Sequence, residues 1–282
     1  MNGQKEPELV SGSFFTSILK GMDFQMEQIK ATITDQGLAI ITLNRSEKMN
    51  AVTKKMTDEL KQILSEFKLN SNMKCLLITG SGDQAFCAGG DLREHHADMS
   101  ESEAYQILHP MKEVLYEIAT FPMPTFAYLN GPARGGGCEL ATACDFRYGL
   151  KDVEFGFVQG DLGITPGWGG GELLYKRIRP ELAAHWLIDS KMYTTIEAYQ
   201  IGWLHKIVSL EELKNNPMID PFLKKSYEQL RTFKEQYLQK LSIDQLSAEM
   251  DEEVRNCANL WESKEHIEAV DKFMSRRKSP KV

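Results

Sequence analysis

Apolar and polar positions alternate between strand-like and helix-like spacing through the first two thirds of the chain. Ile29 to Thr34 and Leu38 to Leu43 are two β-rich runs separated by Asp35-Gln36-Gly37, the pattern of a hairpin. From Thr53 to Lys68 the apolar residues fall at Met56, Leu60, Ile63, Leu64 and Phe67, which is one helical face. Cys75 to Thr79 is a short, continuous apolar run closed by Gly80 and reads as a buried strand. A helix is expected from about Glu103 to Thr120, ended by Phe121-Pro122-Met123-Pro124. Thr125 to Leu129 reads as the next buried strand, followed by a helix over roughly Gly137 to Ala143 and a strand at Phe146 to Gly149. Strands alternating with helices imply crossover connections and a mainly parallel sheet. From about Glu181 onward the spacing is largely helical, with no strand pattern of comparable strength. The expected organisation is an extension over residues 1–25, an α/β core over 26–205 and a helical C-terminal region over 206–282.

Composition narrows the function classes. An apolar content of 42% in 282 residues supports a full core, and a formal charge of −7 argues against nucleic acid as a partner. The five cysteines form no Cys-x-x-C pair, and several sit in apolar runs, where a free thiol behaves as a small hydrophobe. Reducing, cytoplasmic surroundings are therefore expected. The six histidines show no metal-ligand spacing, so no metal is expected. No apolar run approaches the ~18 residues of a membrane span. The segment Phe14 to Leu19 is too short and its flank too weakly basic for a signal peptide.

The candidate chemistry lies in two glycine loops. Gly135-Gly136-Gly137-Cys138-Glu139 follows the strand at 125–129, and Ala85-Phe86-Cys87-Ala88-Gly89-Gly90-Asp91-Leu92 follows the strand at 75–79. In a parallel sheet both loops leave the same end, where open α/β sheets bind ligands. A helix starting at Gly136 or Gly137 would offer unpaired amides to an anionic oxygen, with Glu139 in its first turn. Two amides from separate loops can converge on one oxygen, and one such donor is worth about 3 kcal/mol in acyl transfer. The alternative is a glycine-rich turn into a buried helix, with Glu139 as a favourable first-turn charge.

These loops, in order with their neighbours, resemble the enoyl-CoA hydratase/isomerase, or crotonase, superfamily. The similarity runs from about Met26 to Lys278. It includes Asn44-Arg45-Ser46-Glu47-Lys48-Met49-Asn50-Ala51, Asn130-Gly131, Cys144-Asp145-Phe146-Arg147 and Gly163-Ile164-Thr165-Pro166-Gly167-Trp168-Gly169-Gly170. The resemblance implies an α/β crotonase (ClpP-like) spiral fold of ββα units, with the helical C-terminus forming a trimerisation region. It implies an acyl-CoA thioester substrate, coenzyme A being part of the substrate and no other cofactor. It also implies a homotrimer or hexamer. The N–H groups of Gly90 and Gly136 fall at the oxyanion-hole positions and Glu139 at the proton-transfer position. Lys48, Met49, Ala51, Ala88, Asp91 and Leu92 would line the CoA entrance, and Arg276, Arg277 and Lys278 resemble a basic segment that reaches CoA phosphates. A solvated tail is the competing reading of those three.

One position departs from the hydratase pattern. The second glutamate of hydrating members falls on Gln159, and an amide cannot serve as an ordinary acid or base near neutral pH. Asp161 stands two residues away as a possible substitute. Gly167 is a further substrate-binding position, and Trp168 would wall the acyl pocket, although a core tryptophan explains Trp168 as well. The segment also resembles the ethylmalonyl-CoA decarboxylase branch, in which loss of CO2 generates the enolate directly and one acid suffices. Three functions therefore stand side by side: a hydratase or isomerase, a malonyl-type decarboxylase, and a non-catalytic acyl-CoA-binding relative.

Overall fold

The computed structural model describes residues 22–91, 93, 94, 99–215 and 217–278, without the side chains at 22, 214, 273, 274 and 276–278. Strands β1 (Met22–Gln25), β2 (Ile29–Ile33) and β3 (Leu38–Leu43) form an antiparallel run, with Gly37 N–H donating to Thr34 O at 2.9 Å in the predicted turn. Helix α1 (Lys54–Lys68) begins where the Thr53 hydroxyl accepts from the Met56 amide, and it buries the apolar face read from the sequence. Strand β4 (Cys75–Gly80) is followed by α2 (Glu101–Ala119), which a reciprocal Ser100–Glu103 capping box starts two residues earlier than the apolar spacing indicated. Then come β5 (Thr125–Leu129), the two-residue β6 (Ala133–Arg134), α3 (Gly136–Ala143), β7 (Phe146–Leu150) and β8 (Glu154–Gly156). After α4 (Gly170–Arg177) and α5 (Pro180–Asp189) follow β9 (Tyr193–Thr194), α6 (Thr195–Gln200) and β10 (Lys206–Val208). The chain ends in α7 (Leu210–Asn215), α8 (Asp220–Leu223), α9 (Tyr227–Lys240), α10 (Leu246–Asn259) and α11 (Lys264–Lys278).

The main sheet has the order β1-β2-β3-β4-β5-β7-β10, parallel from β3 onward, and β6-β8-β9 make a second, smaller sheet. Parallel strands are covered on both faces, which is why β4 and β5 are buried at every position. Strand β10 lies within the segment read as helical. Three residues carry too little periodicity to announce a strand, and pairing with β7 makes it one.

A buried charge cluster pins the C-terminal helices to this core. Asp145, just before β7, accepts from Lys234 Nζ of α9 at 2.5 and 2.6 Å and lies 3.3 Å from an Arg177 nitrogen. It also takes the Thr125 amide at 3.0 Å. Helix α10 packs against α2 and α4, which brings the C-terminal region over the end of the sheet where β4 and β5 release their glycine loops.

Candidate active site

The two glycine loops meet. Gly89 has φ +90°, a conformation open chiefly to glycine, and a Cβ there would stand 3.0 Å from Arg134 O and 3.2 Å from Gly136 N. Gly136 is the first residue of α3, so its amide has no acceptor within the helix. Neither it nor the Gly90 amide has an acceptor among the described residues. The loop carrying Gly90 is fixed from the other side by a ladder to the turn before α1. Ala88 N–H donates to Met49 O at 3.0 Å, Val52 N–H to Gly89 O at 2.8 Å and Asp91 N–H to Val52 O at 2.8 Å. Buried Asn50 braces the same turn, accepting from the Arg45 amide at 3.1 Å and donating to Ser81 O at 3.0 Å and Ala85 O at 2.9 Å.

Glu139 lies one turn into α3 and is 2% exposed. Its Oε1 accepts from Gln159 Nε2 at 2.8 Å and from the Gly167 amide at 3.5 Å. Its Oε2 accepts from the amides of Trp168 at 2.9 Å and Gly170 at 3.0 Å. Burial pushes the carboxyl up, and these four donors oppose that push. Gln159 turns its N–H2 toward the carboxylate, so its own Oε1 is left buried with no partner. That orphan acceptor sits beside the Gly135 backbone, at the mouth of the glycine turn. Asp161, in the same short turn of 3-10 helix, is exposed and stands outside this arrangement. It does not replace the second carboxylate.

The indole of Trp168 lies against Gly136, with ring carbons 2.3 to 2.8 Å from where a Cβ would be. Only a glycine admits that contact, so the ring becomes a wall beside the free amide. Cys257 of α10 and Leu108 of α2 close on Gly167 behind it.

Lys48 and Met49 are exposed on the turn, Ala51 is buried and Ala88 is half-buried. Asp91 pairs with Arg45 at 2.9 Å; burial would raise its carboxyl, but the Arg93 amide and the Arg45 guanidinium hold it below the usual range. Arg45, which also donates to Ala51 O at 2.5 Å, is thus a structural clasp within the turn. Leu92 lies outside the described residues, as do the side chains of Arg276, Arg277 and Lys278, whose backbone forms the end of α11. Sequence reasoning missed Glu253 of α10, whose carboxylate accepts from the amides of Gly171 at 3.4 Å and Glu172 at 2.7 Å, next to Glu139. Its place among Glu249, Asp251 and Glu252 gave no sign of an inward role.

Residues 33–280 match the family described as enoyl-CoA hydratase/isomerase. The chain belongs to that family. Relatives of this enoyl-CoA hydratase/isomerase family member include the crotonyl-CoA hydratase of Syntrophomonas wolfei, 36% identical over 179 residues (64% of this chain and 68% of the relative). The short-chain-enoyl-CoA hydratase of Clostridium acetobutylicum is 31% identical over 179 residues (63% and 68%). The crystal structure of enoyl-CoA hydratase from Bacillus halodurans shares the fold, with a TM-score of 0.79 at 22% identity, covering 87% of this chain and all of that one. The parallel sheet, the small second sheet and the helical C-terminal region are thus the crotonase architecture.

Proposed function

We propose that this family member adds water across the double bond of a short-chain 2-enoyl-CoA thioester, and catalyses the reverse reaction, through an enolate. The observation that carries the reading is the Glu139–Gln159 pair, a carboxylate held by an amide whose remaining oxygen is buried and unpaired. A water bound beside this pair would donate one O–H to Glu139 and the other to Gln159 Oε1. Glu139 takes the proton as the water oxygen attacks C3. The electrons of the C2–C3 double bond move onto the thioester carbonyl oxygen, where the Gly90 and Gly136 amides receive the charge. Collapse of the enolate then takes the same proton from Glu139 at C2, so one carboxyl group serves as base and then acid. No cofactor beyond the CoA of the substrate is needed. Short chains are favoured because the Trp168 indole packs directly on Gly136, and the two hydratase relatives carry short-chain names.

A second reading is favoured by the lack, among the described residues, of another carboxylate hydrogen-bonded to Gln159: decarboxylation of a malonyl-type CoA ester, with Glu139 protonating the enolate. One experiment separates the two. The enzyme is incubated with crotonyl-, 3-enoyl-, methylmalonyl- and ethylmalonyl-CoA, and products are followed by mass. Gain of one water on crotonyl-CoA is expected. Loss of CO2 from a malonyl-type ester with no hydration would overturn the first reading, and binding without turnover would overturn both. Exposed Ile188, Ile196 and Tyr199 on α5 and α6 support the proposed homotrimer or hexamer. Five buried, unpaired cysteines support a cytoplasmic setting. Among the described residues no helix is long and apolar enough to cross a membrane.

A further inference from the structure

Helix α4 is preceded by Gly169, which has no side chain to cap it, so the amides of Gly170, Gly171 and Glu172 need acceptors from elsewhere. Two carboxylates divide them. Glu139 takes Gly170 at 3.0 Å; Glu253, arriving 82 residues later on α10, takes Gly171 at 3.4 Å and Glu172 at 2.7 Å. We propose that Glu253 is a positioning residue for Glu139: a neutral carboxylic acid that shares the first turn of α4 with it and, on ionising, takes the proton-transfer carboxylate out of its working state. The inference rests on the proton-transfer role proposed for Glu139.

The geometry decides which of the two is neutral. A helix N-terminus carries about half a positive charge, too little to hold two adjacent anions. Glu139 has four donors and Glu253 two, one of them long. The charge therefore belongs on Glu139 and the proton on Glu253, whose contact with the Gly171 amide is the longer of its two at 3.4 Å. The surroundings supply no cation to Glu253 among the described residues. On α10, Glu249 is paired with Lys176 of α4 at 2.7 Å, while Asp251 takes Lys112 and His109 of α2 at 3.2 and 3.3 Å. What faces Glu253 is Glu139 from α3, Glu172 and Tyr175 from α4, and Cys257 from its own helix. Burial and the charge of Glu139 push the Glu253 carboxyl up to about 8, against the pull of the two amides.

Above that pH a second anion would stand beside Glu139 and behind the enolate, disfavouring both ionised Glu139 and the developing charge. The test is the pH profile of kcat/KM on crotonyl-CoA for wild type and Glu253→Gln, together with an infrared pH titration of protonated carboxyl groups. The wild type is expected to lose activity on the alkaline side near pH 8, and Glu253→Gln to lose that limb while keeping the acid limb. The infrared titration should show a carboxyl group that deprotonates near the same pH and is missing from the variant. An alkaline limb unchanged in Glu253→Gln would overturn the proposal. So would a wild-type titration with no carboxyl deprotonating in that range, a result that needs neither turnover nor a folded variant. If the infrared signal is found but no substrate is turned over, the functional reading fails and the carboxyl pairing stands.

Discussion

Replacing Glu139 by glutamine should separate activity from stability. In the wild type the carboxylate accepts from Gln159 Nε2 at 2.8 Å and from the amides of Trp168, Gly170 and Gly167 at 2.9, 3.0 and 3.5 Å. A glutamine of the same length keeps one oxygen for the Trp168 and Gly170 amides. Its N–H2 faces Gln159, whose amide can rotate and offer Oε1, so the side-chain pair is remade. Only the long Gly167 contact is lost, which sets the stability cost at about 1 kcal/mol or less. The proton carrier is gone, however, and that removes about 10²- to 10⁴-fold in kcat, or ~3–5 kcal/mol in the barrier. Glu139→Ala is the control: it strands all four donors around a cavity and should cost about 3–5 kcal/mol of stability. Urea unfolding and crotonyl-CoA hydration, measured on the same preparations, read the two quantities. A Glu139→Gln enzyme that retains turnover within about tenfold of wild type would refute the proton-transfer role. One as unstable as Glu139→Ala would refute the donor geometry.

Gln159→Glu places a second carboxylate on Glu139, so the acid limb of the hydration profile should move to higher pH and the rate above it should rise; no change in either would mean that the side chain does not face the substrate. Gly136→Ala drives a methyl group into the Trp168 ring and should lower both stability and kcat, the latter by about 10²- to 10³-fold. Adding Trp168→Phe should recover part of the stability, and failure to do so in unfolding curves would place the strain elsewhere. Lys234→Met leaves Asp145, among the described residues, with Arg177 as its one ion-pair partner and should cost about 3–5 kcal/mol in denaturant titrations; a cost under about 1 kcal/mol would count against the buried pair. Glu253 titrates near 8 when folded against an ordinary 4.5, so the folded state holds the extra proton between those values. Stability should therefore fall as pH rises through that window, and Glu253→Gln should flatten the fall in urea midpoints.

The core elements were legible because their signals are local. Apolar runs at 75–79 and 125–129 mark strands that are buried on both faces, and the Met56 to Phe67 spacing marks the inner face of α1. The meeting of the two glycine loops, Gly89 against Gly136, was legible from topology, since parallel strands release their loops at one end. What escaped has long-range causes. Strand β10 exists because β7 offers it a partner. Glu253 reads as one acid among several on an amphipathic helix, and only the packing of α10 on α4 turns it inward. For Gln159, the sequence shows an amide in place of a carboxylate; that one end grips Glu139 while the other stays unpaired is a matter of side-chain orientation.

The ladder joining residues 49–52 to 88–91 makes the approach turn and the Gly90 amide a single mechanical piece. A load applied at one end is felt at the other. If the nucleotide part of a thioester grips the turn, its binding energy is transmitted to the amide proposed to meet the carbonyl oxygen, where it can be used against the reaction barrier. A thioester truncated to a short pantetheine-like stub would then lose turnover number as well as affinity. Deuterium uptake at Gly90 and Asp91 would slow when the cofactor-like end alone is bound.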